Sequence, residues 1–169
     1  MLTPKQTAQL LRAAAGAIEV EARALSDAAV ARHPAPGEWC VKEVIGHLIE
    51  AERRGFAGRI RIILDAHEPA LQAWDQNEVA RAREDCRRDL EPLLREFLDL
   101  RAESARLCEG LAADDLGRGG MHPKVGRLTV NDLLHEWVHH DRNHIKQILS
   151  NVQAMMWPDM GNAQGFAGE

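Results

Sequence analysis

Apolar residues recur at helical rather than alternating spacing along most of this chain, and the breaks between the periodic stretches predict four long helices. Thr3, with Pro4 behind it and Gln6 three residues on, supplies an N-cap, a first-turn proline and a capping-box partner. A first helix is therefore expected from about Pro4 to Ala31. His33, Pro34, Pro36 and Gly37 interrupt the pattern before Trp39. A second helix then runs from about Val41 to Ala66, carried by Val44, Ile45, Leu48, Ile60 and Ile63. The stretch from His67 to Arg88 is polar and contains Pro69, so it reads as a long connection with room for a short helix, able to cross the end of a bundle. Leu90, Leu93, Leu94, Phe97, Leu98, Ala105 and Leu107 mark a third helix, which should start close before Pro92 and stop at Gly110. Asp114 to Arg127, rich in glycine, reads as a loop. Thr129 and Asp132 then form a weaker capping box for a fourth helix from about Val130 to Val152.

The expected fold class is thus all-α: a four-helix bundle with a long connection between helices 2 and 3, residues 1–169 making one domain and 153–169 a partly mobile tail in which Trp157 can dock. Composition agrees, since Ala and Leu dominate and Tyr is absent. A net charge of -5 with basic residues scattered among acidic ones lacks the footprint of a nucleic-acid binder. No apolar run approaches the roughly 20 residues of a membrane span, and the N-terminal residues lack a signal-peptide layout, so a cytoplasmic protein is expected. Cys40, Cys86 and Cys108 are odd in number, far apart and outside any CxxC pattern. They read as reduced thiols rather than as a disulfide framework or a cysteine zinc site.

The chemistry is concentrated in the fourth helix, whose HEWVHHDRNHIKQI holds two histidine pairs at i,i+4: His135 with His139, and His140 with His144. Either pair can chelate one ion, because that spacing stacks two imidazoles on one helix face. At 100° per residue, Leu133, Leu134, Trp137, Val138, Ile145, Ile148 and Leu149 define the core-facing side. His144 falls within that sector and His140 at its margin, whereas His135 and His139 share the opposite side with Arg142 and Lys146. His140 and His144 are therefore the better pair. His47, flanked by Val44, Ile45 and Leu48, is the candidate third ligand from the second helix. Three imidazoles leave coordination positions open for water or substrate, the arrangement of a reactive site rather than a closed structural one. The same spacing is also compatible with packed, hydrogen-bonded histidines.

Asp141 falls near the centre of the apolar face, where an unpaired charge is costly. It needs a partner: an Arg, a Trp indole, a loop amide or the outer N–H of a metal-bound histidine. Glu50, one turn after His47, is the candidate proton-transfer residue, and Glu43, one turn before it, a candidate support for the ligands.

Two blocks, PGEWCVKEVIGHLIEAE and GRLTVNDLLHEWVHHDRNHIKQI, resemble the DinB/YfiT-like superfamily of metal-dependent enzymes, the first through its Trp-containing entry to helix 2 and its histidine, the second through HDxxHxxQI on the last long helix. The resemblance extends from the first helix to about Asn151. It implies one divalent ion, nickel or zinc, on His47, His140 and His144, and a reaction space of low-molecular-weight thiol S-transfer, mycothiol-dependent isomerisation and metal-dependent hydrolysis. The leading expectation is a metal-dependent enzyme that presents an activated thiol cosubstrate or water to a small-molecule electrophile, with thiol transfer slightly ahead. Arg53, Arg54, Arg59 and Arg61 are available for a cosubstrate's carboxylates. The alternatives are a non-catalytic divalent-metal-binding stress-response protein and a dimerising helical bundle. Related bundles often pair, and Met155, Met156 and Trp157 form an apolar cluster, so a homodimer is expected.

Overall fold

The computed structural model describes residues 2–167. Helix α1 (Pro4–Arg23) begins with the expected capping box, Thr3 accepting the Gln6 amide and Gln6 accepting the Thr3 amide. It ends sooner than the periodicity suggests. Ser26 accepts the Ala29 amide and so opens a separate short helix, α2 (Asp27–Val30), in place of a continued α1.

The second long helix is composite: α3 (Val41–Glu50), a π turn (Ala51–Gly55) and α4 (Ala57–Asp65). On an uninterrupted α-helix its two apolar sets, Val44, Ile45, Leu48 and Ile49 before the turn and Phe56, Ala57, Ile60 and Ile63 after it, would point about 80° apart. The π turn, where the Phe56 amide reaches back to the Ala51 carbonyl at 2.8 Å, absorbs one residue. Both sets then bury on the same side. Gly58 permits the wide turn, because a Cβ there would stand 2.0 Å from the Arg53 carbonyl oxygen.

The long connection carries α5 (Gln76–Arg83) and a 3-10 turn at Asp85–Arg87, and α6 (Leu90–Glu109) follows with Pro92 inside its first turn. The segment expected as a glycine-rich loop is instead an antiparallel hairpin, β1 (Gly119–His122) and β2 (Gly126–Thr129), with Gly126 at φ 80° closing the turn. Gly120 lets it press on the connection, where a Cβ would meet the Pro69 carbonyl at 2.8 Å. Helix α7 (Val130–Met156), opened by the Thr129–Asp132 capping box, runs past the expected Val152 and leads into 3-10 turns up to Phe166. The last two residues of the expected tail lie outside the described residues.

The bundle is α1, α3–α4, α6 and α7. Helices α1 and α3 each pack chiefly on α6 and α7, which places α1 and α3 on one diagonal. Its core has two apolar clusters. One is built on Leu11, Phe56, Ile60, Leu134 and Trp137, the other on Ile18, Ile45, Leu48, Leu94 and Phe97. Between them along α6 and α7 lie the buried polar residues Arg101, Ser104 and Asp141.

Contrary to the expectation of three free thiols, Cys40 and Cys86 are joined by a disulfide, with Cα atoms 6.8 Å apart; Cys108 is free and buried. The fold seats the Asp85–Arg87 turn against the start of α3. Gly46 makes this possible, since a Cβ there would lie 1.8 Å from an Asp85 carboxylate oxygen. Among the described residues no helix is long and apolar enough to cross a membrane.

Candidate metal centre

Three imidazoles converge from two helices. His47 projects from α3 just before the π turn, and His140 and His144 from successive turns of α7. One nitrogen from each lies within 4.8 Å of the others, and the Nε2 atoms of His47 and His140 are 2.9 Å apart. Aromatic rings surround them: Trp39 faces His47 and His144 at 5.0 and 6.4 Å between centroids, Trp74 stacks on His47 at 5.7 Å, and Phe56 meets His140 edge-on at 5.1 Å.

This setting keeps the histidines uncharged. Burial, reinforced by the neighbouring His144, pushes His47 down to about 3. Burial, with His144 and His47 beside it, pushes His140 down to about 2. His144 is also lowered by burial, although its bond to Gln147 and the nearby Asp141 oppose the shift. Near neutral pH all three present lone pairs, the state a metal requires. The Gln147 amide oxygen, 3.0 Å from His144 Nδ1, keeps the proton on that nitrogen and frees Nε2. Two nitrogens at 2.9 Å can share only one proton, and Nδ1 of both His47 and His140 is buried without a protein partner. Left to themselves the rings are poorly satisfied. The donor set therefore fits a divalent ion of borderline softness such as zinc or nickel.

His47 and His140 stand on the wall of a cavity of about 950 Å³, rimmed by Arg59, Trp74, His122, Lys124, Glu136 and His139. Arg59 is only half satisfied: Nη2 donates to the Gln72 carbonyl at 3.0 Å and lies 3.3 Å from His122, but its buried Nε has no partner. Desolvation lowers its pKa, so the cavity holds a cation short of acceptors.

Across α7, Asp141 points away from the cavity into the bundle. Both its oxygens pair with Arg101, the Nη2 contact being 3.0 Å, and Arg101 Nη2 also reaches Glu52 at 2.8 Å. Trp137 Nε1 donates to the same Glu52 oxygen at 3.3 Å. Of the partners open to Asp141 on sequence grounds, the fold supplies the arginine.

The profile of the DinB superfamily matches residues 9–148, most of the chain. This chain belongs to the DinB superfamily. Among similar proteins, “Putative metal-dependent hydrolase OB0782” of Oceanobacillus iheyensis is 23% identical over 121 residues, covering 72% of this chain and 69% of its own. A second protein so described, from Bacillus licheniformis, is 27% identical over 124 residues with the same coverage. YfiT of Bacillus subtilis, described as “a probable metal-dependent hydrolase with an unusual four-helix bundle topology”, superposes with a TM-score of 0.82 at 20% identity, over 90% of this chain and 87% of its own. A conserved protein from Enterococcus faecalis gives 0.67 at 12% identity, over 91% and 97%. The expected four-helix-bundle fold is thereby shown.

Within this DinB bundle the structure brings together His47, His140 and His144, but not the three acids named with them. Asp141 is committed to Arg101. Glu50 is buried between Arg83 at 2.7 Å and Arg54 at 2.5 Å. Glu43 caps α3, accepting the Cys40 amide at 2.9 Å. Sequence reasoning missed Trp74, Phe56, Arg101 and the cavity faces of His139 and Glu136. Arg101 did leave a signal: at 100° per residue it falls in the middle of the stripe formed by Leu90, Leu94, Phe97 and Cys108.

Proposed function

We propose that this chain is a metal-dependent enzyme whose single divalent ion, zinc or nickel, is held by His47, His140 and His144 and acts on a small anionic electrophile in the adjoining cavity. The observation that carries this reading is the convergence of three uncharged imidazoles, two of them, His47 and His140, on the cavity wall. Such an ion supplies Lewis acidity, lowering the pKa of a bound thiol or water so that a nucleophile exists near neutral pH. The protein's own groups do the rest. Trp39, Trp74 and Phe56 exclude water from the histidines and lower the local dielectric, which strengthens every charge interaction there. Arg59, half satisfied by Gln72 and His122, takes a substrate or cosubstrate carboxylate, with Lys124 also at the rim. Glu136 and His139, four and one residues before His140 in a helical turn that opens on the cavity, are the groups that would carry a proton. Glu50, engaged by two arginines, holds α3 to the α5 side.

Both thiol S-transfer and hydrolysis use this arrangement; the names of the curated relatives speak for hydrolysis, the cationic rim for an acid-bearing thiol. A homodimer through Met156 and Trp157, both about half exposed, in the cytoplasm completes the proposal.

The test is metal content by mass spectrometry on tag-free protein beside His144→Ala, followed by turnover of thiol acceptors and of esters or amides. About one equivalent per chain, lost in the variant together with turnover, is expected. Metal without turnover would favour the non-catalytic stress-response reading. Protein that refuses zinc and nickel would leave a structural bundle.

A further inference from the structure

A second cluster of metal-binding groups lies at the opposite end of α3 from the π turn. Cys40 at the N-cap of α3, Glu43 in its first turn, His33 from the preceding loop and Cys86 from the Asp85–Arg87 turn bring one ligand atom each within 4.8 Å of one another. Seven residues separate Cys40 from His47, about 10 Å along the helix axis, so this group is distinct from the histidine centre.

Each member is oriented for a ligand. His33 Nδ1 lies 2.6 Å from the Glu38 carbonyl oxygen, which can only accept; the proton is therefore on Nδ1, and Nε2 turns its lone pair towards Cys86 Sγ at 3.5 Å. Carbonyl-anchored imidazoles of this kind are typical of metal ligands, whose outer N–H fixes the tautomer. Cys40 sits at a helix N-terminus, where the partial positive charge favours a thiolate. Glu43 Oε2 holds the Cys40 amide at 2.9 Å and approaches His33 Nδ1 at 3.5 Å, so the carboxylate is fixed beside the sulfurs. His33 is exposed and Cys86 partly so, which leaves the pair open to reductants and ions.

We propose that Cys40, Cys86 and His33, with Glu43 beside them, form a second, redox-gated zinc site. The disulfide seen here is its closed, oxidised state. A dithiol reductant supplies two electrons and two protons, breaks the S–S bond and itself becomes a disulfide. Zinc then replaces the two thiol protons, which are released to solvent, and two thiolates with an imidazole make a tetrahedral set that a carboxylate or water completes. Thiolates select zinc over magnesium or calcium. Either state ties the loop before α3 to the turn before α6, and Trp39, next to Cys40, carries that tie to His47 and His144.

The experiment is a cobalt titration of metal-free full-length protein, reduced with a dithiol that is then removed. A thiolate-to-cobalt charge-transfer band with the intensity of one cobalt per chain is expected, quenched by zinc, absent from air-oxidised protein and from Cys86→Ser. It should persist in His140→Ala/His144→Ala, so its loss and the loss of the histidine centre are separate results. Zinc should also shield two of the three thiols of the reduced wild type from alkylation, a readout that needs no cysteine variant. The exposed His33→Ala should weaken zinc at least about tenfold. Reduced wild-type protein without the band, a band that survives Cys86→Ser, or zinc that shields no thiol would overturn the proposal.

Discussion

Two buried polar groups share helix α7 within one turn and have opposite characters. On the bundle side, Arg101 is matched by Asp141 and Glu52 and capped by Trp137, and its guanidinium lies over the Phe97 and Trp137 rings at 5.1 and 5.8 Å. On the other side, His47, His140 and His144 are uncharged and crowded, and His47 and His140 each leave a buried Nδ1 without a partner. The ionic group spends its bonding capacity inside the protein; the imidazoles keep theirs for something outside it. Polarity alone does not mark a functional site. The useful sign is unspent capacity next to open space.

The largest effect that separates the two groups should come from Arg101→Met, which strands two buried carboxylates and should cost about 3–5 kcal/mol in urea unfolding. A variant that also replaces Glu52 and Asp141 with apolar residues should recover most of that loss. Failure to recover would mean that the cluster sets the bundle's geometry as well as balancing its charge.

Acid should act on the other group. Above about pH 6.5, His47 and His140 are neutral in both folded and unfolded chains and stability is flat. Below it the unfolded chain takes up protons that the folded one refuses until about 3 for His47 and about 2 for His140. Metal-free protein should therefore lose about 2–4 kcal/mol between pH 6.5 and 5, measured by denaturant melts across that range. An unchanged midpoint would show that these rings are not held neutral.

Gly46→Ala drives a Cβ into the Asp85 carboxylate at 1.8 Å and should cost about 1–3 kcal/mol by thermal melting. His144→Ala should lose the metal yet leave the metal-free protein within about 1 kcal/mol of wild type, because this partly exposed ring makes its one polar contact to Gln147. Smallest of all, Arg12→Ala removes an exposed, solvent-screened pair with Glu109 at 2.6 Å, and the thermal midpoint should barely move.

The imidazole group was legible in the chain and the ionic one only half so. Histidines spaced by four beside an apolar stripe declare a shared face, and His47 stands alone in an apolar stretch. Asp141 likewise announced a missing partner, but its partner is 40 residues away on α6, and nothing local says which arginine turns inward. Helix ends followed capping chemistry closely at Thr3 and Thr129; Ser26 was overlooked for want of a strong break beside it. The cysteine pairing was illegible because two thiols separated by 46 residues meet only when the connection folds back on α3.

The π turn gives the second long helix an unusual tolerance. Since it takes up one surplus residue, deleting Arg53 or Arg54 would leave an ordinary helix with Ile60 and Ile63 still facing inward, whereas the same deletion one turn earlier would rotate the residues between it and the turn out of place. The chain can thus shed a residue beside its metal centre without refolding, a place where the cavity can be retuned and the bundle kept.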